Sequence, residues 1–239
     1  MNHPVIALIS RMVQEGDPTK AESALVAVAD EEGDFALMQV LEAMPARDLV
    51  AILREHDASH PSIAGELVTP ASFVNVLAME AKYNDVTHEA LRGMMNMVIF
   101  RGDEPDAFLE AMGNSEHGIL AFADYFSDYH DEVESFFQHG SFDFLDSDPI
   151  ELSADDSDLE ESEMGSEYRQ PSDSLQEIRD QDWRELAWRL RCEHYGVFTE
   201  VLKTLRGRAR SEAARLDGLG DGKVKPRKAS GGDKEESFL

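Results

Sequence analysis

Residues 17–57 read DPTKAESALVAVADEEGDFALMQVLEAMPARDLVAILREHD, and the fold class follows from how this stretch is punctuated. Asp17-Pro18 opens the run AESALVAVAD, and Met44-Pro45 opens ARDLVAILREHD. A proline at the first helical position loses no hydrogen bond, because the N–H it lacks has no intrahelical partner there. A small or polar residue just before it marks the helix start. Between these starts, DFALMQVLEAM carries apolar residues three and four apart, the spacing of one helix face. The device recurs further along: Thr69-Pro70 opens ASFVNVLAMEAKY, Glu104-Pro105 opens DAFLEAM, and Asn114 or Ser115 caps the next run. HEALRGMMNMVIF repeats the spacing, and LEAM at 41–44 and again at 109–112 closes one helix ahead of another. Connections this short make neighbours antiparallel, so about eight or nine packed helices are expected over residues 1–139. No stretch alternates with period two, and the predicted fold is all-α.

Charge divides the rest of the chain. The 239 residues hold 49 acids against 22 bases, a net charge of −27. Residues 1–139 carry −18 and residues 140–173 carry −11, with Arg169 as the one base among twelve acids. Residues 174–239 carry +2. Repulsion at the density of 140–173, with little apolar surface to bury, favours disorder. The expected organisation is a helical domain at 1–139, an acidic disordered linker at 140–173, a separate amphipathic helical segment at 174–214 and a flexible tail at 215–239. In the third piece Leu175, Ile178, Trp183, Leu186, Leu190, Val197, Val201 and Leu205 are candidate buried positions.

Several function classes are disfavoured at once. A strongly acidic body opposes direct binding of nucleic acid or an anionic membrane surface. A lone cysteine, Cys192, excludes an internal disulfide framework and any CxxC motif, and it reads as a semi-buried structural residue. Apolar runs such as HPVIALISRMV are too short to span a bilayer, so no membrane insertion and a cytoplasmic location are expected. GxSxG, the phosphate-binding loop, GxGxxG after a strand and HExxH are all missing, so the chain reads as non-enzymatic, with no catalytic residues, no cofactor and no metal site. One acidic stretch needs weighing, SEHGILAFADYFSDYHDEVESFFQH at 115–139. Ile119, Phe122, Phe126, Tyr129, Val133 and Phe136 recur at helical steps as the buried stripe of one helix. Asp124, Asp128 and Asp131 then share another face, which suits either a solvated surface, the favoured reading, or a hard cation such as Mg²⁺ or Ca²⁺. Met79, Met94, Met95 and Met97 read as core ahead of an adaptable binding surface.

The better binding candidates lie beyond residue 139. Phe142, Phe144 and Leu145 alternate with Asp143 and Asp146, the pattern of an acidic-hydrophobic segment that orders against a basic, apolar groove. That groove belongs either to another protein or to the chain's own basic helix. There Trp183 and Trp188 accompany Arg184 and Arg191, residue types that dominate interface energetics. The reading is a protein–protein interaction adaptor or scaffold subunit of a larger assembly. It would contact protein partners through the linker and the C-terminal helix, which binds a partner or docks back. The alternatives are an acidic decoy occupying a basic nucleic-acid-binding groove, or a secretion-system-associated adaptor or substrate.

Overall fold

The computed structural model describes residues 3–56, 60, 62–83, 85–100, 105–142 and 175–220, and within the last range the side chains of 182–216. The fold is all-α, with no strand among the described residues. Residues Met1–Leu205 form one compact unit and Arg206–Leu239 a second.

The helix starts fall where the prolines place them. α1 (Pro4–Gln14) begins behind His3, whose Nδ1 accepts from the Val5 N–H at 3.3 Å. α2 (Pro18–Glu32) is capped by Asp17, which accepts from the Lys20 N–H at 3.1 Å, and the Lys20 ammonium holds the Asp17 carboxyl below its ordinary range. Gly33, at φ +87°, joins α2 directly to α3 (Asp34–Ala43), a backbone angle that other residues rarely adopt. α4 (Ala46–Leu53) starts one residue after Pro45, which is its cap rather than its first residue. α5 (Ile63–Leu67) is a five-residue helix the periodicity does not reveal. Then follow α6 (Pro70–Glu80) behind Thr69, α7 (Glu89–Ile99), α8 (Pro105–Gly113) and α9 (Glu116–Tyr125) behind Ser115. Both LEAM segments end a helix, and Leu41, Met44, Leu109 and Met112 are all buried. The methionine run is core, with Met94 and Met95 fully buried and Met97 nearly so.

α6 lies at the centre, against α4, α8 and α9, and buries Phe73, Val76 and Leu77. Three buried acids tie helices across this core. Asp48 on α4 accepts from Ser10 of α1 at 2.5 Å and from the Arg47 guanidinium at 2.9 Å. Glu22 on α2 accepts from the Ile63 N–H at 2.6 Å, at the start of α5. Glu80 at the end of α6 pairs with Arg54 just past α4.

Three features differ from the sequence expectation. The stripe 119–136 is not one helix: α9 stops at Tyr125, a 3₁₀ turn spans Ser127–Tyr129, and α10 runs His130–His139. The Ser127 hydroxyl donates to the Asp124 carbonyl at 2.7 Å, a local bond that competes with helix continuation. The 174–214 segment is two helices, α11 (Leu175–Cys192) and α12 (Tyr195–Gly220), so helix also replaces the start of the expected tail. Nor is that segment separate through Leu205. Trp183, Leu186, Ala187, Leu190, Phe198, Val201, Leu202 and Leu205 are buried in the same compact unit as α1 to α10. An apolar helix face leaves water against whatever complementary surface is nearest, and the body supplies one. Residues 143–173, with Phe144 and Leu145, and the tail from 221 lie outside the described residues. In the second unit, α12 residues Ala209 to Leu216 are exposed, and Arg215 pairs with Glu212 at 2.6 Å.

Candidate functional site

Gly140 ends α10 at φ +77°, the left-handed cap that turns the chain back along the helix it has just left. Phe142 therefore stacks on Phe136, with ring centroids 4.0 Å apart, and meets Trp183 edge-on at 5.5 Å. Trp183 in turn stacks on Tyr129 at 4.5 Å. The Arg184 guanidinium lies 5.7 Å from the Phe142 ring centroid, and Arg191 lies 5.2 Å from that of Phe136. Three of the seven residues expected to bind a partner, Phe142, Trp183 and Arg184, thus meet one another, and Arg191 joins them through Phe136. Trp183, only 5% exposed, is not available to a partner, and Phe142, Arg184 and Arg191 are partly buried against the same cluster. The first aromatic of the expected linker docks on the chain's own basic helix. Trp188 is different: it stands 41% exposed on the face of α11 opposite the buried stripe, with exposed Glu185 and Cys192 one turn to either side. Cys192 is therefore a surface residue, not semi-buried.

The acidic stripe does not converge on one ion. With the helix broken at the 3₁₀ turn, Asp128 pairs with Arg92, Asp124 lies 3.8 Å from His88 Nε2, and exposed Asp131 lies 3.0 Å from His130 Nδ1. Each carboxylate has its own basic neighbour, and the three do not bring their ligand atoms within 4.8 Å of one another. Among the described residues, the trio whose ligand atoms lie within 4.8 Å of one another is Asp106, Glu193 and His194. It joins the first turn of α8 to the α11–α12 turn, with His194 Nε2 3.4 Å from Asp106 and both carboxylates exposed. The residues are too far apart in sequence for spacing to reveal them.

A cavity of about 370 Å³ opens where α6, α7, α9 and the 81–88 loop meet. Three carboxylates, Glu80, Asp85 and Asp124, and two imidazoles, His88 and His117, line it. Asp85 organises the loop, accepting from the Thr87 hydroxyl at 2.8 Å, the Thr87 N–H at 3.1 Å and the Ala90 N–H at 3.4 Å. The hydroxyl bond, ahead of the two N–H groups, holds its carboxyl below the ordinary range. His88 caps α7 at φ +53°, a left-handed conformation uncommon outside glycine. Glu80 is 4% exposed; its Oε1 pairs with Arg54, while its Oε2 is buried with no hydrogen-bond partner. Reading acids as solvated surface misses this site. The signal is present all the same: Glu80 falls on the 73, 76, 77, 80 stripe of α6, an acid where the period calls for an apolar residue.

Among the described residues no helix is long and apolar enough to cross a membrane. No curated protein and no solved structure matches the chain. Residues 6–67, from α1 to the end of α5, are similar to the family described as the AtcB N-terminal domain, a match covering about a quarter of the chain.

Proposed function

We propose that the protein is a non-enzymatic adaptor of the cytoplasm that binds another protein through the outer face of α11. The observation that carries this reading is Trp188. The helix buries Trp183, Leu186, Ala187 and Leu190 on one side and leaves a second indole 41% exposed on the other. Tryptophan is the side chain most enriched among residues that dominate binding energy, and a large exposed indole on a rigid helix meets a partner at little entropic cost. Tyr195, 56% exposed at the start of α12, adds an amphipathic ring close by in sequence. In this reading the twelve acids of residues 143–173 make the binding salt-sensitive.

The test is affinity capture with the tagged intact chain and its Trp188→Ala variant, the bound proteins being identified by mass. One protein held by the intact chain and reduced at least about tenfold by the variant, at unchanged melting temperature, is the expected result. Equal capture by both chains removes α11 as the contact.

A further inference from the structure

We propose that the cavity between α6, α7 and α9 binds an aliphatic ammonium group, the head seated among Glu80 and Asp124 and the stem along the wall of Leu77, Leu91 and Leu120. This inference does not rest on the adaptor reading.

Four observations converge on that ligand chemistry. The first is the balance of charge. Glu80, Asp85 and Asp124 line the cavity, and among the described residues no arginine or lysine does; Arg54 pairs with Glu80 from outside it and lies over the Tyr83 ring at 4.7 Å. The second is the orphaned oxygen. Glu80 is nearly fully buried, one of its oxygens is engaged by Arg54, and the other has no donor. A buried carboxylate oxygen without a donor is unfavourable, and a turn of the Glu80 side chain that opened this oxygen to the cavity would let a ligand's N–H groups supply what it lacks. The third is shape. About 370 Å³ exceeds what a bare ion or a single water fills and lies at the lower end of organic-ligand sites. The fourth is dispersion of the acids. Among the described residues, no three of the cavity's carboxylates and imidazoles bring ligand atoms within 4.8 Å of one another, so they do not form a preassembled metal centre. They suit a ligand with length. Asp85 is held by its own loop, and Glu80 and Asp124, the latter beside His88, are the other two carboxylates of the lining.

An aliphatic ammonium reaches such a site either as a free amine or as a lysine side chain on a peptide. The full-length chain, isotope-labelled at leucine methyls, is titrated with n-butylammonium, with N-acetyl-lysine amide and with neutral 1-butanol, and separately with Mg²⁺ and Zn²⁺. The expected result is saturable shifts at Leu77, Leu91 and Leu120, with a dissociation constant of about 1 mM or tighter for an ammonium probe. 1-Butanol produces none. Asp124→Asn weakens the ammonium by about tenfold or more, as expected for a lost charge-assisted contact. Glu80→Gln does the same, and Asp124→Asn, at a partly exposed position, keeps the test intact should Glu80→Gln fail to fold. A tighter response to the blocked lysine assigns the ammonium to a peptide, and the reverse order assigns it to a free amine. Four results overturn the proposal: equal binding of 1-butanol, unsaturated shifts spread over the acidic surface, an unchanged response in Asp124→Asn, or shifts at these leucines from the metal ions alone.

Discussion

Single side chains in this protein often do something other than their type foretells. Asn96, on the buried face of α7, accepts from the Tyr125 hydroxyl at 2.6 Å and donates to Asp182 at 2.6 Å, so one amide joins α7, α9 and α11. Burial, then the nearby Asp182 charge, pushes the Tyr125 phenol well above its ordinary value. Its stabilising contribution is therefore complete below about pH 10, where the unfolded phenol is still protonated, and declines as pH rises further, because unfolding then releases a proton. Urea unfolding between pH 9 and 11 should show stability falling with pH. Over that whole range the fall should be smaller by about 1.4 kcal/mol in Tyr125→Phe, and an unchanged fall would exclude Tyr125 as its source. Gly118 is constrained by space alone: a Cβ there would overlap the Met112 backbone across the α8–α9 turn, and backbone cannot swing aside. Gly118→Ala should lose about 1–3 kcal/mol, which thermal unfolding reads as a drop of about 2–4 °C for each kcal/mol.

At the level of helices, α11 and the first half of α12 are structural. Each large apolar side chain they bury contributes about 1.5–3 kcal/mol. Seven such residues, Trp183, Leu186, Leu190, Phe198, Val201, Leu202 and Leu205, together reach on the order of 10 kcal/mol, comparable to a domain's whole net stability. A chain ending at residue 142 should therefore lose its cooperative melting transition. Retention of that transition at an unchanged temperature would show that residues 1–142 fold independently, as the charge pattern alone implies. The two tryptophans give a second check on the face α11 presents. In Trp188→Phe the remaining indole should be shielded from acrylamide quenching, and in Trp183→Phe it should be readily quenched; equal quenching would contradict the orientation of the helix. The stripe at 115–139 shows why a correct period is not a correct element. Phe122, Phe126, Val133 and Phe136 are all buried as their spacing requires, yet α9 ends at Tyr125, and Phe126 and the 3₁₀ turn separate Phe122 from Val133 and Phe136 on α10.

For the molecule as a whole, 49 acids against 22 bases mean that like charges repel in the compact state. Added NaCl screens that repulsion over a Debye length of about 10 Å at 0.1 M. The melting temperature should accordingly rise with salt at fixed pH, by about 2–4 °C for each kcal/mol of repulsion removed; a steady fall would mean that ion pairs such as Arg54–Glu80 and Arg92–Asp128 outweigh the repulsion. The amino-acid sequence alone determined the all-α class, most helix starts and the apolar stripes, because proline geometry, capping and a period of 3.6 residues act within a few residues of one another. Only the tertiary structure decided that Trp183 faces Tyr129 while Trp188 faces solvent, that Asp124, Asp128 and Asp131 part to different bases, and that Glu80 closes a cavity lined by residues from three helices. Those outcomes depend on which surfaces meet across long stretches of chain, and a meeting of that kind leaves no local period to read.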